Sequence, residues 1–118
     1  MTTLIACLST GKGTWGHVGR LITDGKWDKI FLITNDFGKE NFTPEKPSEF
    51  IIADAHGSLK DMRDLITKEL KGKIKDTEVG VNLVSGTGKE HMAIISALLK
   101  LGLGIRLMAL TKDGIEEV

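Results

Sequence analysis

The sequence lacks the features that mark membrane proteins, duplex-DNA binders and cysteine-based metal sites. Its 118 residues contain one cysteine, Cys7, so no disulfide can form within the chain and no thiolate metal cluster within one subunit. The 16 basic and 16 acidic residues cancel, which argues against the basic surface of a duplex-DNA binder. The apolar runs are far shorter than the roughly 20 residues that cross a bilayer. We therefore expect neither duplex DNA nor a membrane as a partner.

Recognisable catalytic and targeting patterns are also scarce. The three histidines, His17, His56 and His91, are too scattered for a helical metal motif. No paired carboxylates and no Ser/His/Asp set can be nominated, so we expect no bound metal and no cofactor. The first residues lack the basic flank and long apolar stretch of a secretory signal, which predicts a cytoplasmic protein.

Apolar strand-like runs alternate with amphipathic helix-like runs along the chain. Strands are predicted at residues 3–8, 29–34, 49–53, 79–84 and 105–110. Helices are predicted after residue 14, after Ser58 and over residues 92–101. Residues 35–48 show no period and are expected to form an irregular loop, either a lid or a plain connection with some local helix. The charged residues after 110 are expected to fray.

This alternation indicates an α/β fold with a mainly parallel sheet and helices on both faces. We predict a single Rossmann-like domain over residues 1–118, with five strands in the order 3-2-1-4-5. In that order the first and fourth strands are neighbours, and the chain leaves them in opposite directions. The turns after these two strands therefore flank the crevice in which such folds bind ligands.

Both of these turns are rich in glycine and hydroxyl groups, and each contains one lysine. The first turn consists of Ser9, Thr10, Gly11, Lys12, Gly13 and Thr14. The second turn consists of Ser85, Gly86, Thr87, Gly88 and Lys89. Glycines allow close approach of the backbone, and helix starts, hydroxyls and ammonium groups suit phosphate. The sequence therefore predicts a site for a nucleotide-like anion.

Three side chains near the turns are further candidates for contact with a ligand. His17 and His91 each lie at the start of a helix that follows one of the turns, where they could hydrogen-bond a phosphate or a ribose. Trp15 could stack on a base, but its helical spacing with Val18 and Ile22 favours a place in the core.

The turns do not match the Walker A motif, but the first turn matches the glycine spacing of the dinucleotide-binding motif. Neither turn is a Walker A loop, because the first glycine and the Ser or Thr after the lysine are both missing, and ATP hydrolysis is therefore disfavoured. Residues 11–16 (GKGTWG) match the glycine spacing of a dinucleotide fingerprint, and Asp36 follows about 20 residues later. A module or enzyme for an ordinary mononucleotide or dinucleotide thus stays open, as does a subunit with no ligand.

Taken together, the two turns resemble those of the CARF family, the CRISPR-associated Rossmann-fold sensors of cyclic oligoadenylate. Residues 4–11 (LIACLSTG), followed by a helix and by residues 29–35 (KIFLITN), are similar to the first βαβ unit of the family. Residues 81–93 (VNLVSGTGKEHMA) resemble its fourth-strand motif, a hydroxyl- and glycine-rich turn that leads into a lysine-bearing helix. The resemblance covers almost the whole chain.

The resemblance implies a symmetric homodimer in antiviral defence, whose two crevices join into one site for cyclic tetra- or hexa-adenylate. The apolar helix over residues 92–101 would form its interface, and Asn35 would join the ligand contacts. Some members cleave the ring without metal, by attack of a ribose 2′-hydroxyl on the adjacent phosphate, and Thr10 and Lys89 occupy positions used there. One departure is Gly11, where ring-cleaving relatives often have serine. Without an effector domain, the chain would be a binder, a ligand sink or a ring nuclease.

Overall fold

Short apolar segments form the strands of one sheet. The computed structural model describes residues 2–9, 11–53 and 56–118. The strands in these ranges are β1 Thr3–Cys7, β2 Lys29–Thr34, β3 Glu49–Ile52, β4 Glu78–Asn82, β5 Gly104–Thr111 and β6 Gly114–Glu117. Their order in the sheet is β3-β2-β1-β4-β5-β6. The first five pair in parallel and β6 is antiparallel to β5, so the predicted Rossmann-like α/β fold with strand order 3-2-1-4-5 is confirmed.

Helices cover both faces of this sheet. They are α1 Trp15–Asp24, α2 Asp36–Asn41, α3 Leu59–Leu70 and α4 Gly88–Lys100. A 3₁₀ turn, Lys12–Thr14, leads into α1. Residues of α1 pack on one face of the sheet, and residues of α3 and α4 pack on the other. Among the helices of the described ranges, none has both the length and the apolar character needed to cross a bilayer.

The central strand β1 contributes to the cores on both faces, because successive side chains of a strand point to opposite sides. Ile5 and Cys7 pack with α3 and α4, whereas Leu4 and Ala6 pack with α1. Every residue of β1 is buried, as expected for a parallel strand with helices on both faces. The turn after β1 therefore lies at the middle of the carboxyl edge of the sheet.

One segment differs from the sequence prediction, and a second agrees with the alternative of a connection with some local helix. The tail predicted to fray instead forms β6, because Gly114 adopts a positive φ of 109° in the hairpin and Ile115 packs against the α1 side of the core. The segment predicted to be irregular begins with α2, because Asn35 Oδ1 accepts a hydrogen bond from Gly38 N at 2.9 Å and caps that helix. Residues 42–48 form neither helix nor strand, so the irregular part is shorter than expected.

Candidate functional site

The two glycine-rich turns meet at the carboxyl edge of the sheet, after the neighbouring parallel strands β1 and β4. The backbone N–H of Ser9 donates to Ser85 Oγ at 2.7 Å, and Ser85 Oγ donates to Ser9 Oγ at 3.0 Å. Ser85 is buried and Ser9 is half-buried. These hydrogen bonds confirm that the turns adjoin at the switch point of the sheet, which is where open α/β folds bind ligands.

The first turn exposes its backbone. Gly11, Lys12 and Gly13 are exposed, and Thr14 is half-buried. Within the described ranges, no side chain caps the start of the 3₁₀ turn or of α1, and the first turn of each contains no acidic residue. Uncapped N–H groups at a helix start attract anions. Thr10, a predicted catalytic and binding residue in this turn, lies outside the described residues.

Lys12 lies beside aromatic rings at the starts of α1 and α2. Its Nζ is 5.8 Å from the ring centroid of Trp15 and 5.6 Å from that of Phe37. Trp15 is half-buried against the α1 side of the core, as its helical spacing predicted. The first lysine is thus placed over rings and next to the exposed backbone of its own turn.

The second turn is held by its own side chains. Thr87 N donates to Glu90 Oε1 at 2.8 Å, and Glu90 N donates to Thr87 Oγ1 at 3.3 Å, which is a capping box. His91 Nε2 donates to the Ser85 carbonyl at 2.8 Å. The capping box starts α4 at Gly88, earlier than the predicted residue 92, so Gly88 and Lys89 belong to the helix.

Gly86 is required by the geometry of this second turn. Its φ is +110°, and a Cβ atom built on it would lie 2.6 Å from Cys7 Sγ and 3.0 Å from His91 Nε2. A side chain there would meet both backbone strain and a steric clash. The glycine therefore lets the turn pack directly on the end of β1.

A buried carboxylate gives the second turn a negative charge. Glu90 is 7% exposed. Burial, together with the charge of Glu90, raises the pKa of the Cys7 thiol to about 12. Cys7 therefore stays protonated at neutral pH and is not an activated nucleophile. The same carboxylate opposes the approach of a phosphate to the second turn.

Lys89 reaches from the start of α4 to the segment before α3. Its Nζ donates to the carbonyl of Gly57, just before α3. Lys12 therefore lies on the α1 side of the sheet, whereas Lys89 reaches toward the start of α3 on the opposite side. The structure brings the two turns together but directs their ammonium groups to different neighbours.

Two other candidate side chains make contacts within the fold. Asn35 caps α2 through its Oδ1. His17 Nε2 accepts a hydrogen bond from Leu110 N at 3.3 Å and lies 3.1 Å from Nδ2 of the buried Asn82. Asn82 Nδ2 also donates to the Met108 carbonyl at 2.8 Å. His17 thus ties α1 to the ends of β4 and β5.

Gly11, Gly13 and Gly16, which match the dinucleotide spacing, do not have the packing role of the glycines in dinucleotide-binding folds. In a dinucleotide fold they are needed for a tight turn, for close approach of the pyrophosphate and for helix–strand packing. Here a Cβ atom on Gly13 or Gly16 would meet nothing within 4 Å, and one on Gly11 would meet only Ser9 Oγ at 3.8 Å. Asp36 does lie just past the end of β2, as the first residue of α2.

The outer face of α4, formed by Met92, Ile95 and Leu99, is an exposed apolar surface. Met92 is 60% exposed and Leu99 is 64% exposed. They line an open groove of about 680 Å³ that also includes Gly88 and His91. This surface therefore starts at the second turn and runs along the helix.

Sequence reasoning missed several residues of the site. The capping box could have been found, because Thr87 is followed three residues later by Glu90. No local sequence pattern predicts that Phe37 and Phe42 contact Trp15. Within the ranges that the structure describes, no three His, Cys, Asp or Glu side chains are grouped so that they could hold a metal ion.

Comparison with known proteins assigns no family. The chain matches none of the family models, and no curated protein has a significantly similar sequence. A functional proposal therefore rests on the fold and on the geometry of the two turns.

Proposed function

We propose that this chain binds cyclic oligoadenylate at a site to which both turns contribute. The observation that carries the proposal is the pair of hydrogen bonds between Ser9 and Ser85, which puts the two turns at one switch point. On one side of this contact lies a helix start, with Lys12 and exposed backbone, that no side chain of the described residues caps. A ligand with several phosphates suits such an edge, because each phosphate can accept hydrogen bonds from backbone N–H groups.

The binding unit in this proposal is a homodimer formed through the outer face of α4. That face begins at Gly88, within the second turn, so a second copy docked on it with the two α4 helices parallel would bring two switch points close together. Two identical crevices related by a two-fold axis would each bind an equivalent half of a cyclic tetra- or hexa-adenylate. The formal net charge of zero leaves no net repulsion between two copies.

Slow cleavage of the ring is part of the same proposal. A ribose 2′-hydroxyl would lose its proton to solvent as its oxygen attacks the adjacent phosphorus and the bond from phosphorus to the 5′-oxygen breaks. The departing 5′-oxygen would take up a proton from solvent, leaving a 2′,3′-cyclic phosphate and a 5′-hydroxyl. Alignment of the attacking and leaving oxygens would supply most of the rate. Lys89, together with backbone N–H groups, would stabilise the developing phosphate charge, and Thr10 is the hydroxyl candidate.

The alternative is a module for an ordinary mononucleotide or dinucleotide. The exposed Asp36 at the end of β2 favours it, because an acidic residue at this place binds ribose hydroxyls in dinucleotide folds. The open surroundings of Gly13 and Gly16 weigh against it.

Calorimetric titration with cyclic tetra-adenylate, cyclic hexa-adenylate, AMP and NAD separates these functions. We expect a cyclic adenylate to bind most tightly, with one ring per dimer, and the mass of the complex to be measurable by light scattering. Chromatography of the mixture in the presence of a metal chelator would detect linear products. Preferential binding of NAD would favour the alternative, and binding of none of these ligands would overturn both.

Lysine variants test the contribution of each turn. We expect Lys12→Ala to weaken binding by about 1–3 kcal/mol, the range for hydrogen bonds to charged groups, with little change in thermal unfolding. Lys89→Ala should weaken binding less, because Lys89 Nζ donates to the Gly57 carbonyl. Lys26→Ala is the matched control, because Lys26 is exposed and lies before β2, at the opposite edge of the sheet. Unchanged affinity in both turn variants would contradict the site.

A further inference from the structure

Three aromatic rings join the first turn to the start of α2. Trp15 Nε1 donates to the Ser9 carbonyl at 2.8 Å, which fixes the indole to the backbone of the turn. Its ring lies 5.7 Å from Phe42 in an edge-to-face contact and 5.9 Å from Phe37 in a tilted one. The cluster therefore spans the carboxyl ends of β1 and β2, on the side of the crevice away from the second turn.

The members of this cluster differ in exposure. Trp15 and Phe42 are half-buried and pack against the α1 side of the core. Phe37 does not belong to that core and is 38% exposed. Trp15 and Phe42 thus act as a fixed support, whereas Phe37 presents ring surface at the rim of the crevice.

Lys12 completes the cluster from the solvent side. Its ammonium lies 5.6 Å from the ring centroid of Phe37 and 5.8 Å from that of Trp15, and the side chain is exposed. A cation–π contact at an exposed site is weak, whereas a hydrogen bond between an ammonium and a phosphate is about twice as strong as a neutral one. The Lys12 ammonium can therefore leave the two rings and bind a phosphate at little cost in free energy. The face of the Phe37 ring is then uncovered.

We propose that Phe37 and Lys12 form a nucleotide-binding platform in which a nucleobase stacks on Phe37 while Lys12 binds the phosphate of the same ligand. This inference rests on the proposed function and adds to it the residue that contacts the base. Stacking on an aromatic ring uses the π-face that every base has, so Phe37 contributes affinity and not the choice between bases. The position of the platform beside the first turn places a base within reach of the same edge that receives the phosphates.

Trp15 serves as a built-in reporter of this platform. The chain has two tryptophans and no tyrosine. Trp27 donates its Nε1–H to the Leu21 carbonyl at 2.9 Å, at the far end of α1 from the first turn. In a Trp27→Phe background, Trp15 is the single indole, and we expect its emission to change as cyclic hexa-adenylate binds.

The decisive comparison is between Phe37→Leu and Phe42→Leu in that background, with affinities measured by fluorescence and by calorimetry. We expect Phe37→Leu to weaken binding of cyclic hexa-adenylate by roughly 5- to 100-fold, the contribution of one stacked base. Phe37→Tyr should restore the affinity, because it keeps the ring. Phe42→Leu should stay within about twofold of the parent, because Phe42 supports Trp15 but offers no ring to the ligand.

Each other outcome overturns a specific statement. Equal affinity of Phe37→Leu and the parent would overturn the platform and leave the proposed function intact. Equal losses in Phe37→Leu and Phe42→Leu would show that the cluster acts only by packing, and would also overturn the platform. A parent protein that binds no cyclic adenylate would overturn the proposed function and, with it, this inference.

Discussion

The two turns that meet at the switch point have similar sequences but differ in what holds them. In the first turn, a side chain at Gly13 would meet open space and no side chain caps the following helix among the described residues. In the second turn, Gly86 needs its positive φ and its close contact with Cys7, and Thr87 caps α4. The second turn is therefore a fixed part of the core, whereas the first turn leaves its backbone open to solvent.

This difference shows that a glycine-rich turn can serve packing as well as ligand binding. Where the glycine is needed for its φ and its contacts, as at Gly86, the residues around it satisfy one another. Where the glycine is permissive, no side chain of the described residues caps the helix start, and such a start attracts an anion. We therefore expect the first turn to supply most direct contacts with a ligand and the second turn to hold the first in position through Ser85.

The largest expected effect is on stability, from alanine substitution of one glycine in each turn. We expect Gly86→Ala to lower the free energy of unfolding by about 2–4 kcal/mol, since it adds backbone strain to a clash with Cys7. Gly13→Ala, in the 3₁₀ turn, should change it by less than about 0.5 kcal/mol. Urea unfolding followed by tryptophan fluorescence measures both. An equal loss of unfolding free energy in the two variants would show that the first turn is packed as tightly as the second.

The next effect is a loss of stability at alkaline pH that depends on Cys7. Burial beside Glu90 raises the pKa of this thiol to about 12 in the folded protein, from an ordinary value of 9.0. Between these values the unfolded chain loses the proton while the folded chain keeps it, so a rise in pH favours unfolding. The stabilisation is complete below pH 9 and decreases by at most about 1.4 kcal/mol per pH unit above it.

Comparison with Cys7→Ala isolates this effect from the titration of the lysines. Urea unfolding between pH 8 and pH 11 should show a steeper decline in stability for the parent than for Cys7→Ala. Parallel declines would show that the second turn does not hold the thiol in its protonated form.

A smaller effect is expected from the threonines that precede the two helices. Thr87→Ala should lower the free energy of unfolding by about 1 kcal/mol, because the Thr87 hydroxyl caps α4. Thr14→Ala should have an effect of a few tenths of a kcal/mol at most, because the Thr14 side chain makes no capping hydrogen bond. Thermal unfolding of the two variants, side by side, measures the difference. A greater loss from Thr14→Ala would reverse our description of the turns.

The smallest effect is expected from Glu90→Gln. Glutamine can complete a capping box, so stability should change by no more than about 0.5 kcal/mol. Removal of the buried negative charge should tighten binding of a cyclic adenylate by about two- to fivefold. Calorimetric titration measures this change, and weaker binding would show that the carboxylate itself contacts the ligand.

Most of the fold could be predicted because its signals are local. The alternation of apolar strand runs with helix-like runs led to the Rossmann-like strand order, and that order predicted the contact between the turns. The prediction missed β6, although the Asp113-Gly114 pair is a known hairpin signal, because two of the four residues after it are charged. It also started α4 at residue 92 instead of Gly88, because the capping box of Thr87 and Glu90 was overlooked.

The site was harder to predict than the fold. The sequence correctly placed both turns at one edge, but it predicted that both lysines face a common ligand. In the structure Lys89 donates to Gly57, which is distant in the chain, and His91 donates to Ser85. The directions of these side chains depend on partners that no local pattern identifies.

The sequence by itself determined the five parallel strands, because hydrophobic periodicity acts along the backbone. The order of those strands, and with it the adjacency of the two turns, was predicted from their alternation with helices and from the handedness of crossovers. The tertiary structure alone decided which turn is open and which is closed. That distinction depends on the space around Gly86, on the buried charge of Glu90 and on the rings that gather near Lys12. Each of these is a contact between elements, and its energy depends on distances that exist only after the chain has packed.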